Sequence, residues 1–327
     1  MYRFAAILSG ITFFISSCTS DKNPKPLSIG RISEIAVIVP ESGASISLIK
    51  SLNGCLTSEY PGLPQAEPQF NVSTFSNAAF SGLVPLHKNI LFIELSSKEQ
   101  NAALILTAQR NVFANPQLVL RLKISTKNTD GTLPDSICHT LIQYFNREER
   151  NRLIESYRKS GDKALSEMVF SKSGIRIHLP GGFSLALEKE NFLWLRKETE
   201  NTSTGILVYS YKISGGDLPS PNTIIQVRDS VGKKYVLGPS PNSFMITDSN
   251  YPVIQYHDQM NEYRAVITRC LWKTENDFMG GPFFSATFKK DSSDQVYCIE
   301  GFVYAPKFEK RDYIKQLEAV LYSAGSD

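Results

Sequence analysis

The first half of the chain contains short apolar runs that end at polar residues or at proline. Runs of this kind predict buried strands, and they occupy residues 34–40, 89–95 and 117–126. In the third run apolar and polar positions alternate, which predicts a sheet with one solvent-exposed face. Residues 135–159 instead repeat apolar side chains at helical spacing, so a long helix is expected there.

The second half of the chain is richer in strands. The strand-like segments are residues 175–179, 204–213, 263–272, 281–290 and 294–306. Two amphipathic segments, residues 221–236 and 307–323, predict helices. Because the helices separate groups of strands, the pattern predicts an α+β fold rather than strict β-α-β alternation. We expect two domains, residues 28–170 and 171–327, each with a mostly antiparallel sheet and helices packed on it.

The amino terminus has the pattern of an export signal. After Arg3 come twelve mostly apolar residues, 4–15, which as a helix would measure about 18 Å against about 30 Å of hydrocarbon. The sequence Ile-Ser-Ser-Cys that ends at Cys18 resembles a bacterial lipobox. We therefore expect residues 1–17 to be a signal peptide and residues 18–27 to be a lipidated cysteine with a flexible tether. An ordinary secretory signal, cut near Ser17, is the alternative.

Lipid attachment at Cys18 would place the protein in the cell envelope, where cysteines can oxidise. Four further cysteines follow in the chain: Cys55, Cys138, Cys270 and Cys298. Of the possible pairs, Cys270 with Cys298 is the first to consider, because both lie in predicted neighbouring strands. Buried free thiols are the alternative, since cysteine packs well as a small apolar residue.

Composition and charge exclude several classes of function. The chain of 327 residues has 35 basic and 32 acidic side chains and no run of five like charges, which argues against a nucleic-acid partner. None of the cysteines or histidines has the spacing of a metal site. Glycine-rich phosphate loops and dinucleotide fingerprints are also missing from the sequence. We predict no metal, no cofactor and no identifiable catalytic residue.

Rigid loops rich in proline and glycine are the candidate binding surfaces. Two glycines precede a proline in residues 278–284, and prolines flank Glu67 in residues 63–70. A third candidate stands just before a predicted strand, at residues 87–89. Each of these also fits an ordinary turn, connector or capping position. The residues predicted to contact a ligand or partner are Glu67, His87, Asn89, Phe278, Met279, Gly280, Gly281 and Pro282.

Several segments together resemble a lipoprotein family of Bacteroidota that is described only as a domain of unknown function. They include LPQAEPQF, HKNILFIEL, RCLWKTENDFMGGPFF and IEGFVYAPKFEKRDYIKQLEAVLYS. The chain departs from the family pattern at Lys88, where arginine is usual, and at Cys270, where glycine is usual. The resemblance implies a Gram-negative envelope and an outer-membrane anchor. In such organisms, export to the cell surface tends to need several acidic residues just after the lipidated cysteine. Only Asp21 stands there, so the resemblance favours a periplasm-facing orientation over the cell surface.

The expected function follows from what the sequence contains and what it does not contain. The second half is similar in pattern to α+β domains of the PsbP and Mog1 type, an analogy of fold alone. Without a local catalytic signature, we expect a non-enzymatic binding or assembly factor whose partner is an envelope protein, a glycan or a lipid. The alternative is an envelope hydrolase whose site is assembled by folding, with His87 or His178 beside an acid and a hydroxyl.

Overall fold

The structure, a computed structural model, describes residues 24–41, 44–96, 104–125, 131–214, 217–291 and 293–325. The predicted signal peptide, Cys18 and the first part of the predicted tether lie outside the described residues. The described residues form two sheets and five α-helices in an α+β arrangement, as predicted. Within this part of the chain, no helix is both long enough and apolar enough to cross a membrane.

The first domain consists of a five-stranded sheet and two long helices. Its elements are β1 (Glu34–Val39), α1 (Ile46–Leu56), β2 (Asn71–Ser76), β3 (Asn89–Ser96), β4 (Leu104–Arg110), β5 (Leu118–Ser125) and α2 (Asp135–Ser160). The strand order is β2-β1-β3-β5-β4. Among these described strands, the pairings of β1 with β2, β1 with β3 and β3 with β5 are parallel, and β4 with β5 is antiparallel.

The prediction of a mostly antiparallel sheet is therefore wrong for the first domain. The physical reason is that both faces of this sheet are covered, which is the usual setting of parallel strands. Helices α1 and α2 cover one face, and on the other face Phe80 and Phe113 pack against Phe92. The face of β5 that the alternation predicts to be solvent-exposed is covered in part, since Val119 is fully buried there while Arg121 and Lys123 are half-buried.

The cysteines pair differently from the first expectation. Cys55 of α1 and Cys138 of α2 form a disulfide, while Cys270 and Cys298 are buried free thiols. Cys270 and Cys298 lie in strands that flank an intervening strand, about 10 Å apart at the usual strand spacing. Their partners in the intervening strand, Phe283 and Thr287, are four residues apart along that strand. Buried free thiols, the alternative weighed for this pair, are thus what the structure contains.

The second domain is an antiparallel sheet with helices on both faces. Its elements are α3 (Lys163–Ser173), β6 (Ser184–Lys189), β7 (Phe192–Glu198), β8 (Ser203–Lys212), α4 (Pro221–Tyr235), β9 (Phe244–Thr247), β10 (Ile254–Met260), β11 (Tyr263–Glu275), β12 (Gly280–Phe288), β13 (Gln295–Tyr304) and α5 (Arg311–Tyr322). The order is β10-β11-β12-β13-β8-β7-β6, with β9 paired to the end of β11. All pairings of these described strands are antiparallel, as expected.

The junction between the domains lies between α2 and α3. Val169 of α3 is fully buried in the same apolar core as Leu317 of α5, so α3 packs with the second domain. The boundary expected at residues 170 and 171 lies inside this helix. Gly161 ends α2 where a Cβ atom would stand 2.2 Å from the carbonyl oxygen of Leu179, so only glycine allows this close backbone approach.

The last residues of the predicted tether contact the first domain. The backbone N–H of Asn115 donates to the carbonyl of Pro26 at 2.9 Å, and Leu27 forms a parallel bridge with Asn115. Lys25 reaches the carbonyl of Asn111 nearby. Residues 25–27 therefore lie against the loop of residues 111–115 of the first domain.

Candidate functional site

Glu67, predicted to be presented on a loop, is buried between the two domains with 4% of its surface exposed. Its carboxylate accepts hydrogen bonds from the backbone N–H groups of Lys310 at 2.7 Å and Arg311 at 2.8 Å. These N–H groups stand at the start of α5, where a helix leaves donors without partners inside itself. Glu67 is thus a helix cap supplied by the other domain, and the bonds leave it no surface for a partner.

His87 and Asn89 lie in the first domain, where Nδ2 of Asn89 also donates to Glu149 of α2 at 3.4 Å. Asn89 is fully buried; its Nδ2 donates to the carbonyl of Glu34 at 2.9 Å, and its Oδ1 accepts from Arg152 at 2.6 Å. His87 is partly buried, and its Nδ1 has no hydrogen-bond partner among the described residues. Asn89 therefore ties the start of β3 to α2 instead of facing a ligand.

Phe278, Met279, Gly280, Gly281 and Pro282 belong to the hairpin between β11 and β12. Phe278 is fully exposed at its tip, while Gly280 begins β12. A Cβ atom on Gly281 would lie 2.0 Å from the carbonyl oxygen of Val303, so this glycine serves the close packing of neighbouring strands. The predicted residues thus lie in three separate places, and folding does not bring them into one surface.

Of the two histidines named for the hydrolase alternative, His178 has an arginine as its partner. The imidazole Nε2 of His178 accepts a hydrogen bond from Nε of Arg158 at 3.4 Å. Burial, and then the positive charge of Arg158, lowers the pKa of His178. Among the described residues, neither His178 nor His87 has both a carboxylate and a hydroxyl within hydrogen-bond distance of its ring. The described residues also contain no group of three or more potential metal ligands.

A seam of buried charges joins the domains, where α2 packs against α5. Glu149 of α2 accepts from the backbone N–H of Ser33 at 2.6 Å and from Lys315 Nζ of α5 at 3.3 Å. Arg311 donates to the carbonyl of Pro68 at 2.7 Å. We define the seam as four charged residues: Glu67, Glu149, Arg311 and Lys315. Each of them forms a hydrogen bond or an ion pair with a group of the other domain.

Next to the seam, three polar side chains form the floor of a cleft. Arg269 of β11 pairs with Glu318 of α5 at 2.6 Å and donates to the hydroxyl of Tyr60 at 3.2 Å. The Tyr60 hydroxyl also donates to Glu318. Burial raises the pKa of Tyr60 well above its usual range, so the phenol is neutral and acts as a donor. This floor is fully paired and carries no net charge.

The cleft above this floor is a cavity of about 800 Å³ between the domains. One wall is α2, which contributes residues from His139 to Arg150, and the opposite wall is β10 with Ile254, Tyr256, His257 and Asp258. Cavities of this size at domain interfaces are common ligand sites. The interdomain cleft is therefore the candidate functional site.

Arg147 and Arg150 of α2 line the cleft with positive charge. The guanidinium of Arg150 lies 3.6 Å from the ring centroid of Tyr322, and that of Arg147 lies 5.1 Å from the ring of Tyr144. Among the described residues, no carboxylate comes within 4 Å of either guanidinium, whereas Arg158 of the same helix pairs with Glu155. An arginine that stacks on an aromatic ring keeps its N–H groups free for a planar anion.

Helix geometry explains why these two arginines share the cleft. Residues three apart lie on the same face of a helix, so Arg147 and Arg150 project together while Glu148 and Glu149 are buried elsewhere. Neither arginine has an acidic residue three or four positions away in the sequence. The spacing is readable in the segment NREERNR, residues 146–152, but the sequence alone does not show that a cleft lies beside it.

Two family models match the chain. Residues 162–323 match a domain of unknown function (DUF4837), and residues 28–158 match another domain of unknown function (DUF8532). The predicted resemblance to a family of unknown function is confirmed to this extent, while neither description concerns lipidation or Bacteroidota. Between the two matched ranges lies the junction of α2 and α3.

Comparisons with individual proteins add little. No curated protein matches the sequence significantly. Among solved structures, the chain is similar to "Crystal structure of LpqN involved in cell envelope biogenesis of Mycobacterium tuberculosis", at 9% identity and a TM-score of 0.27. The match covers 45% of this chain and 79% of that chain. A likeness this distant carries no argument about function.

Proposed function

We propose that this chain is an exported, lipid-anchored binding protein of the cell envelope, and that its ligand is an anionic molecule held in the interdomain cleft. The single observation that carries the proposal is the pair Arg147 and Arg150, which face the cleft and have no acidic partner in the part of the chain that the structure describes. The ligand class is a carboxylate- or phosphate-bearing segment of an envelope protein, glycan or lipid.

The strength of such binding can be bounded. A hydrogen bond to a charged group contributes about 1.5–3 kcal/mol, and Arg147 is exposed, so both arginines together supply roughly 3–5 kcal/mol. That corresponds to dissociation constants near the millimolar range. Tighter binding needs contact with the aromatic side chains that line the same cavity, Tyr144, Tyr256 and Tyr322. The ligand is therefore expected to combine negative charge with apolar surface.

The envelope location is supported by two features that are far apart in the sequence. The lipobox-like residues before Cys18 predict export and lipid attachment, although they lie outside the described residues. The disulfide between Cys55 and Cys138 suits an oxidising compartment, since cytosolic proteins rarely keep such bonds. An outer-membrane anchor with the domains facing the periplasm is the arrangement that the sequence favours.

The ligand proposal is tested with the full-length lipoprotein in detergent micelles, titrated with a ten-residue polyglutamate peptide and with polyphosphate. We expect saturable binding of at least one probe, and at least tenfold weaker binding by the double variant Arg147→Ala, Arg150→Ala. The control is Arg31→Ala with Lys163→Ala, which removes the same charge from exposed positions outside the cleft. Failure of both probes to bind, or equal loss in the control, would overturn the proposal.

The anchoring proposal has its own test. In cells that express the Cys18→Ser variant, the protein should be absent from the membrane fraction and should not incorporate radiolabelled palmitate. Protease treatment of intact cells then separates the two orientations, since domains that face the periplasm stay protected. Palmitate incorporation that does not depend on Cys18 would contradict lipid attachment at this residue.

A further inference from the structure

The edge of the second sheet opens into the interdomain cleft. Strand β10 is the terminal strand in the sheet order, and its pairing with β11 runs without a break from residue 254 to residue 260. On its other side, no described strand is hydrogen-bonded to it. In an antiparallel pair, alternate residues direct their backbone N–H and C=O groups away from the partner strand, so β10 offers a row of such groups.

The position of the cavity shows that this row borders the cleft. Both Tyr256 and His257 line the cavity. Ile254 and Asp258, which share one face of the strand with Tyr256, line the cavity as well, so β10 runs along the cleft. The outward backbone groups of β10 therefore lie at the border of the cleft.

The opposite edge of the same sheet provides a comparison. Strand β6 has a register shift between Leu185 and Leu187 and carries Glu188 and Lys189, which are features that discourage pairing with another strand. Strand β10 has no such shift and contains no lysine. Its one carboxylate, Asp258, accepts from the hydroxyl of Tyr322 and, at 2.8 Å, from the backbone N–H of Gln259 in the same strand.

Apolar side chains accompany the open edge. Tyr251, Val253 and Tyr256 are exposed by 44%, 39% and 38% respectively, all on or just before β10. Across the cleft stand Arg147 and Arg150, whose guanidinium groups lack acidic partners among the described residues. An open strand edge, apolar contacts and an opposing pair of cations are complementary to one kind of occupant.

We infer that the interdomain cleft binds an extended acidic segment of another polypeptide, which adds to β10 as a further strand and directs its carboxylates toward Arg147 and Arg150. This inference rests on the proposed function and specifies its ligand class. Backbone hydrogen bonds to β10 supply binding that does not depend on sequence, and the arginines select acidic side chains. Glycans and lipids would use the arginines without the strand edge.

The test uses fluorescently labelled eight-residue peptides, capped at both ends, and the full-length lipoprotein in detergent. The reference peptide alternates glutamate and valine. A lysine–valine peptide tests charge, and two analogues carry N-methyl groups either on all valines or on all glutamates. In an added strand only one of these two sets of amides faces β10, so only one analogue should lose affinity.

We expect the reference peptide to bind, the lysine peptide to bind at least tenfold more weakly, and the two N-methylated analogues to differ by at least tenfold. Hydrogen exchange of the complex should show protection of backbone amides within residues 254–260. The double variant Arg147→Ala, Arg150→Ala should weaken the reference peptide at least tenfold, while Arg31→Ala with Lys163→Ala leaves it unchanged.

The outcomes separate this inference from the proposed function. If both N-methylated analogues bind equally well and the arginines still matter, the anion site stands and strand addition is overturned. If polyphosphate binds through the arginines and the reference peptide does not bind, the anion site again stands and strand addition is overturned. If no anionic probe depends on Arg147 and Arg150, both proposals fail.

Discussion

The seam and the cleft are two parts of one domain interface, and they use charged residues in opposite ways. In the seam, Glu149 and Lys315 are buried and paired across the interface. In the cleft, Arg147 and Arg150 project from the same helix toward water and have no acidic partner among the described residues. Paired charges fix how the domains meet, whereas unpaired charges beside a cavity remain available to a ligand.

The energetic consequences differ accordingly. A buried ion pair adds little net stability compared with apolar residues, because both charges lose their hydration. Removing one member is nevertheless costly, since the other charge stays buried alone. An arginine at the mouth of a cleft stays hydrated, so its removal should affect binding much more than folding. Variants in the two regions therefore distinguish structural from functional charges.

The largest effect is expected for the seam variant Glu149→Ala. It leaves the backbone N–H of Ser33 without its acceptor and leaves the buried Lys315 ammonium with the carbonyl of Gln69 but without a negative partner. We expect a loss of about 3–5 kcal/mol in the free energy of unfolding, measured by urea denaturation. The matched control on the same helix is Glu155→Ala, whose exposed pairs contribute at most about 1 kcal/mol. Equal destabilisation by both variants would contradict the role of the seam.

The next largest effect concerns the disulfide that joins α1 to α2. Replacing Cys55 and Cys138 by serine should lower the stability of the first domain by about 2–4 kcal/mol, because an unfolded loop of 83 residues loses its crosslink. Alkylation of the unfolded, unreduced protein should label Cys270 and Cys298 and leave Cys55 and Cys138 unlabelled. Labelling of all four cysteines would show that the disulfide is not formed.

A smaller loss is expected for Glu67→Ala, because it removes the cap that the first domain provides to α5. Two buried backbone N–H groups, those of Lys310 and Arg311, then lack acceptors. We expect about 1–3 kcal/mol of destabilisation by urea denaturation. Glu67→Gln, which keeps one acceptor oxygen, should cost less than the alanine variant. A glutamine variant as unstable as the alanine variant would argue that packing, not capping, sets the effect.

The cleft variant Arg150→Lys should leave stability within about 0.5 kcal/mol of the parent protein, since surface substitutions rarely change it more. Its effect should appear in binding of the anionic probe. Lysine keeps the charge but lacks the planar guanidinium group, which stacks on Tyr322 and can donate two parallel hydrogen bonds to one carboxylate or phosphate. We expect affinity between that of the parent and that of Arg150→Ala in the same titration. Full retention of affinity would mean that charge alone matters.

The smallest effect is the titration of His178 at the edge of the domain junction. Its pKa is lowered by burial and by Arg158, so the folded state binds this proton less readily than the unfolded state. The contribution of His178 to the free energy of unfolding is fully present above the pKa of the unfolded state, about 6.5. It is lost as the pH falls toward the lower pKa of the folded state. Proton NMR titration should find the pKa below its usual value, and Arg158→Ala should raise it. An unchanged pKa in that variant would contradict the contribution of Arg158.

Local patterns in the sequence predicted helices α2, α4 and α5 and the type of fold. The apolar stripe of residues 307–323 corresponds to α5, and that of residues 135–159 corresponds to α2. These elements were predictable because helical and strand periodicities depend on neighbours within a few residues. The Arg147–Arg150 pair was equally readable from its spacing, although only a cleft beside it makes the pair a candidate site.

Tertiary structure alone decided which distant residues meet. The cap of α5 comes from Glu67, 243 positions before Lys310, and no local rule connects them. The parallel order of the first sheet, the choice of Cys55 with Cys138 and the open edge of β10 in the cleft are of the same kind. Such pairings depend on how whole elements pack against one another, and periodicity along the chain carries no information about which faces will be opposed.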